Sequence, residues 1–235
     1  MAGSLRIPRR FNGPLDSGNG GYCSGAIAAF VDGLAEVSLR APVPLDRPLD
    51  VVSEDGGSVR VMDGAKLVAD ARPVTDLGVE VPRPVSRDEA RAAAERYRGP
   101  PDGEFSRCFV CGRAREDAFG VFAGAVEGGR IVASPWTPPH WTADGSGAVR
   151  PEFVWAVLDC PTYFATYVDG ELGRGVLARM AARIDAPVVT RDESVVIGWP
   201  IEVDGRKRHA GAAVLAGDGT VLATARALLI EPRAG

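Results

Sequence analysis

The sequence predicts an α+β protein in which a helix followed by antiparallel strands occurs twice. Three observations predict it. Helix-like apolar stretches at residues 20–32 and 151–167 each lead into a set of strand-like patterns. Ala41-Pro42-Val43 is echoed by Ala186-Pro187-Val188. Asp63-Gly64 followed by Leu67-Val68-Ala69-Asp70-Ala71-Arg72 is echoed by Asp218-Gly219 followed by Val221-Leu222-Ala223-Thr224-Ala225-Arg226. Echoes in the same order, each on the same element, argue for duplication, and two copies do not suggest a solenoid. The uneven spacing of the echoes needs only loop insertions, which are tolerated.

In the first half, residues 5–11 read as a short strand and 20–32 as a helix. Strands follow at 36–40, 49–52, 59–62 and 66–72, with Gly56-Gly57 and Asp63-Gly64 as turns. In the second half, Gly128-Gly129 marks a hairpin between residues 121–125 and 130–134. A helix at 151–167 follows, then strands at 177–185, 194–200, 208–215 and 220–230. Between the halves lies a stretch rich in Pro, Arg and Glu. Ser86-Arg87-Asp88-Glu89 is a capping box there, predicting a surface linker helix. The expected division is residues 1–75 as one repeat, 76–107 as the linker and 108–235 as the second repeat.

Composition excludes several function classes. Apolar residues make up 46% and charged residues 25%, ordinary for a globular protein. The net charge of −4 comes without a basic block, so neither nucleic acid nor an anionic membrane surface has an electrostatic footprint. No apolar run approaches the roughly 18–20 residues of a membrane span, and the N-terminus lacks a signal-peptide core. Four cysteines in this length do not make a disulfide scaffold, which points to the reducing cytoplasm.

Asn19-Gly20-Gly21 opens the first helix. The first N–H groups of a helix lack internal partners and carry partial positive charge, so they suit a developing oxyanion. The competing reading is that Gly21 and Gly25, four apart, let the sheet pack closely. Asp159 sits in an otherwise apolar helix, where a carboxylate is costly unless paired or facing a cleft; Asp159-Cys160-Pro161 also reads as a helix break. Glu152 shares its helix face, either as a polar contact or as a first-turn acid that suits the dipole.

Cys108 and Cys111 form a C-x-x-C without an evident second pair, and only His140 and His209 remain as zinc ligands, far apart in sequence. No metal is therefore expected. Cys23 and Cys160 read as core. His140 lies in a Trp- and Pro-rich loop before the second helix, placed to line an acyl channel or simply exposed. The basic run Arg206-Lys207-Arg208-His209 suits either the phosphates of coenzyme A or protection of a strand edge.

Cys108-Phe109-Val110-Cys111-Gly112, a hairpin, a loop and a helix carrying Ala156-Val157-Leu158-Asp159 resemble the hotdog acyl-CoA thioesterases of the phenylacetate-degradation type. Those open the helix with His-Gly-Gly and place Asp nine residues after the His. Here Asp159 falls nine residues after Arg150, in Arg150-Pro151-Glu152. Nine residues after Asn19, the position holds Ala28. The resemblance implies a double hotdog fold: two antiparallel sheets, each wrapped around a long central helix, joined as a covalent pseudo-dimer. It also implies one composite site, with amides from Gly20 and Gly21 polarising a thioester carbonyl and Asp159 acting as base or nucleophile. Ala28 and Arg150-Pro151-Glu152 then mark a decayed second site.

The expected activity is hydrolysis of an acyl-CoA or related acyl thioester. Asn19, Tyr22, Glu152, Trp155 and His140 are the expected substrate contacts. No cofactor is expected beyond the coenzyme A of the substrate, and pseudo-dimers are free to pair further into a homodimer. Two alternatives stand beside it: a non-catalytic acyl-thioester-binding protein, which partial decay of both motifs would also produce, and an enoyl or hydroxyacyl thioester hydratase or dehydratase, which ordinarily needs a histidine in the site.

Overall fold

The computed structural model describes residues 3–99 and 102–233. In chain order the elements are β1 (Gly3–Arg6), α1 (Gly20–Ala28), β2 (Ala35–Leu39), β3 (Pro48–Ser53), β4 (Val59–Asp63) and β5 (Lys66–Pro73). Then come α2 (Arg87–Ala94), β6 (Gly124–Ala125), β7 (Val132–Trp136) and α3 (Pro151–Thr166). The last four strands are β8 (Val176–Ile184), β9 (Ser194–Asp204), β10 (Lys207–Leu215) and β11 (Val221–Ile230).

The strands form one antiparallel sheet ordered β1-β3-β4-β5-β2-β8-β11-β10-β9-β7-β6. Read inward from β1 on one side and from β7 on the other, the strand orders correspond, β1, β3, β4, β5, β2 beside β7, β9, β10, β11, β8, with β6 lying outside β7. The expectation of two separate sheets is corrected at their meeting point. Strands β2 and β8 pair through Glu36↔Ala181, Val37↔Met180 and Ser38↔Arg179. Each would otherwise be an edge with unpaired N–H and C=O groups, and pairing satisfies both.

Several boundaries also shift. The expected first strand ends at Arg6, and residues Arg9–Phe11 form a 3-10 turn after Pro8, which has no N–H to give a ladder. The second-half hairpin keeps its turn at Gly128 (φ +73°), but its first strand is only two residues long. Strand β9 runs past Pro200 to Asp204, across a bulge opposite His209/Ala210.

Helix α1 is nine residues, shorter than expected. The amides of Phe30 and Val31 fold back on the carbonyls of Ile27 and Ala28, three residues before them, and the chain turns off at Gly33 (φ +78°). Its start is capped by Asn19, whose Oδ1 accepts from the Tyr22 amide at 2.9 Å. Helix α3 is sixteen residues and begins with Pro151 at a position where the missing N–H costs nothing. It continues through Pro161, so Asp159 is an interior helix residue and the helix-break reading is set aside.

The two long helices pack on each other in antiparallel register. A Cβ on Gly21 would lie 2.4 Å from the Trp155 carbonyl oxygen, and one on Gly25 would lie 2.7 Å from the Glu152 Cα. These glycines therefore admit the partner helix, not the sheet as the sequence suggested. The main core lies between this helix pair and the sheet and draws on both halves, including Ile27, Val37, Leu49, Phe153, Leu158 and Met180. A second core lies on the opposite face of β7, β9 and β10, because alternate strand residues point opposite ways. There Ala90 and Ala93 of α2 cover Ala133, Ile197, Ala213 and Leu215. The expected capping box is present, with the Ser86 Oγ accepting from the Glu89 amide and the Glu89 carboxylate from the Ser86 amide. So the predicted surface helix is a packed lid on the sheet. Among the described residues, no helix is long and apolar enough to cross a membrane.

Candidate active site

The antiparallel register of α1 and α3 brings the start of one helix to the middle of the other. Asp159 is 7% exposed, and its Oδ2 accepts a hydrogen bond from the Gly21 amide at 2.8 Å. Residues from the two halves, 138 positions apart in sequence, thus meet directly. Burial pushes the Asp159 carboxyl up to about 7, with the Gly21 hydrogen bond pulling the other way. Cys23, buried beside it, has its thiol pushed up by burial first and by the Asp159 charge second.

Each of the first amides of α1 has a distinct role. Tyr22 donates to the Asn19 cap, Cys23 to the Asn19 carbonyl, and Gly21 to Asp159. Among the described residues, no acceptor pairs with the Gly20 amide. Gly20 is half-buried and lines a cavity of about 500 Å³ together with Asn19 and Asp159. The rest of the wall is largely apolar, with Leu39, Val43, Phe105, Phe164 and Leu177 contributing. That size and lining suit a small organic ligand, for which cavities run about 300–1,000 Å³.

The expected site residues therefore divide. Asn19, Gly20 and Asp159 line the cavity; Gly21 lies behind them, engaged with Asp159. Tyr22 is buried in an aromatic cluster, stacked on Phe11 at 4.3 Å and close to Phe109 and Phe153. Trp155 is buried at the helix interface, where its carbonyl faces Gly21. Glu152 lies 3.5 Å from Arg150 in the first turn of α3. His140 is exposed in a 3-10 turn. None of these four lines the cavity. The basic run is also taken up: Lys207 pairs with Asp204, Arg208 with Glu231, and Arg206 donates to the Glu231 carbonyl.

Ala28 is the last residue of α1, three beyond the Gly25 that faces Glu152 of α3. The first helical residue of α3 is Pro151, which has no amide to donate. The sequence missed Cys160 as a wall residue. It joins Cys108, Cys111, Tyr97 and Tyr163 around the inner cavity. Its adjacency to Asp159 in an apolar helix was the one available signal.

No protein-family model matches the chain, and no curated protein matches it. Solved structures do match over nearly its full length. The tesB protein of Mycobacterium avium subs paratuberculosis superposes with a TM-score of 0.60 at 15% identity, covering 99% of this chain and 94% of that one. A protein of unknown function with a hotdog fold from Alicyclobacillus acidocaldarius gives 0.61 at 12%, covering 99% and 93%. A provisionally assigned thioesterase from Novosphingobium aromaticivorans gives 0.62 at 11%, covering 98% and 95%. The fold is the hotdog fold. At these identities the likeness speaks for the fold alone, and any chemistry rests on this chain's own residues.

Proposed function

We propose that the protein is a thioester hydrolase acting on an acyl-CoA or a related acyl thioester. In this reading the chain is a double hotdog, a covalent pseudo-dimer with repeats at residues 1–75 and 108–235 and a linker at 76–107. The observation that carries the reading is the contact between the Gly21 amide and Asp159 at the wall of an apolar cavity. The names of two solved structures of like fold, a tesB protein and a provisionally assigned thioesterase, agree with it.

Asp159, in its ionised form, takes a proton from a water molecule, and the resulting hydroxide attacks the thioester carbonyl carbon. The carbonyl oxygen gains negative charge and is met by the Gly20 amide, which has no acceptor among the described residues. The tetrahedral intermediate collapses with cleavage of the C–S bond. The thiolate leaves and recovers the proton from Asp159. The Gly21 amide holds the carboxylate in place and is not itself the oxyanion donor, a change from the expectation that both glycines serve the carbonyl. Direct attack by Asp159 would instead give a mixed anhydride that water then opens. The apolar wall takes the acyl chain, and neither histidine lines it, so a hydratase reading lacks its usual partner.

The test is a thiol-release assay over short, long and aromatic acyl-CoAs. Turnover with at least one class is expected from the native chain. Tight acyl-CoA binding without release in any class would replace the hydrolase with a binding protein. A single turnover in ¹⁸O-labelled water separates the two routes, since only direct attack puts an enzyme oxygen into the product acid.

A further inference from the structure

The inner wall of the cavity carries a group of side chains that hydrolysis does not use. Cys108 and Cys111 come from the loop after the linker, and Cys160 comes from α3. All three are buried and all line the cavity. Their sulfur atoms lie within 4.8 Å of one another.

The loop is held rigidly. The Gly112 amide donates to the Cys108 carbonyl at 2.9 Å, and a Cβ at Gly112 would lie 2.6 Å from three backbone atoms. The Tyr97 hydroxyl donates to the Cys111 carbonyl at 2.7 Å, and the Phe109 amide to the Asn12 carbonyl at 3.1 Å. The Cys108 sulfur has a side-chain donor. Asn19 Nδ2 donates to it at 3.8 Å. Outer hydrogen bonds of this kind orient and stabilise metal-bound ligands.

We propose that Cys108, Cys111 and Cys160 bind a zinc ion through three thiolates, with the fourth coordination position open to the cavity beside Asp159. Zn–S bonds of about 2.3 Å place tetrahedral sulfurs about 3.8 Å apart, within the spread that this cluster already has. Three soft sulfur donors select zinc over magnesium, calcium or manganese. The ion displaces three thiol protons to solvent and removes the cost of crowding thiols in an apolar wall. A fourth protein ligand is not needed, because an open position takes water or a sulfur or oxygen atom of whatever occupies the cavity. The site does not depend on the hydrolase reading, and its test needs no turnover.

The experiment measures metal in the full chain purified under reducing conditions without chelator. About one zinc per chain is expected. X-ray absorption at the zinc edge should show three sulfur neighbours at about 2.3 Å and one lighter atom. Cobalt exchange should give an intense sulfur-to-metal charge-transfer band, lost with chelator. Cys160→Ser and Cys111→Ser should each weaken zinc binding by at least tenfold, while Cys23→Ser leaves it unchanged. Because a wall variant risks misfolding, alkylation of the native chain provides a second reading. Cys108, Cys111 and Cys160 should be protected until chelator is added. Native protein that takes up no stoichiometric zinc on titration, or that shows fewer than three sulfur neighbours, overturns the proposal. So does equal retention of metal by a folded Cys160→Ser chain.

Discussion

The Gly21 amide donates to Asp159 Oδ2 at 2.8 Å, across the interface where α1 and α3 run antiparallel. This bond joins the two halves at the cavity and makes Asp159 both a structural acceptor and the proposed base. Substitutions that preserve the acceptor should separate the two roles.

Asp159→Asn keeps an oxygen for the Gly21 amide while removing the base. Thiol release should fall by about 10²–10⁴-fold, the usual contribution of a positioned base. The thermal midpoint should stay close to that of the native chain. Asp159→Ala leaves the buried Gly21 amide unpaired and should cost about 1–3 kcal/mol of stability as well. Native hydrolysis rates in the Asn variant would remove Asp159 from the mechanism.

Gly21→Ala and Gly25→Ala should distinguish helix packing from chemistry. Each new methyl group meets the facing helix well inside contact distance, at 2.4 Å and 2.7 Å respectively. Both variants should lose about 1–3 kcal/mol through overpacking. Only Gly21→Ala displaces the donor to Asp159, so only it should lose activity per folded molecule. Denaturant melts beside thiol-release rates check this, and equal activity losses would contradict it.

Leu177→Trp should narrow the cavity, because Leu177 lines it next to Gly20. The longest acyl chain turned over should become shorter. Discrimination of about 1–3 kcal/mol per methylene at the limit is the scale to expect. Profiles of kcat/KM against chain length read the change directly. An unaltered profile would mean that the acyl chain binds elsewhere.

Ser86→Ala breaks the capping box of α2 without touching the cavity. A loss of about 0.5–2 kcal/mol is expected. Hydrolysis by the folded fraction should be unchanged, since α2 covers the sheet face opposite the helix pair. Reduced turnover per folded molecule would show that the second core supports the site.

The order of helices and strands was legible because strand alternation, turn residues and caps are local signals. Asn19-Gly20-Gly21 and Asp159 stood out for the same reason: a glycine pair behind a capping residue, and an acid in an apolar helix. Tyr22 and Trp155 were harder to place, since an aromatic side chain suits a core and a pocket wall equally well. The single sheet was hidden because nothing in Glu36–Ser38 or Arg179–Ala181 names the other as its partner.

By itself, then, the sequence determined the α+β class, the order of most helices and strands and the two helix features that meet at the cavity. Tertiary structure decided which glycine amide holds Asp159, which one remains available, and that Cys160 joins Cys108 and Cys111. The physical reason is range. Periodicity and capping act within a few residues, whereas these contacts depend on the register of two helices whose facing residues lie more than a hundred positions apart.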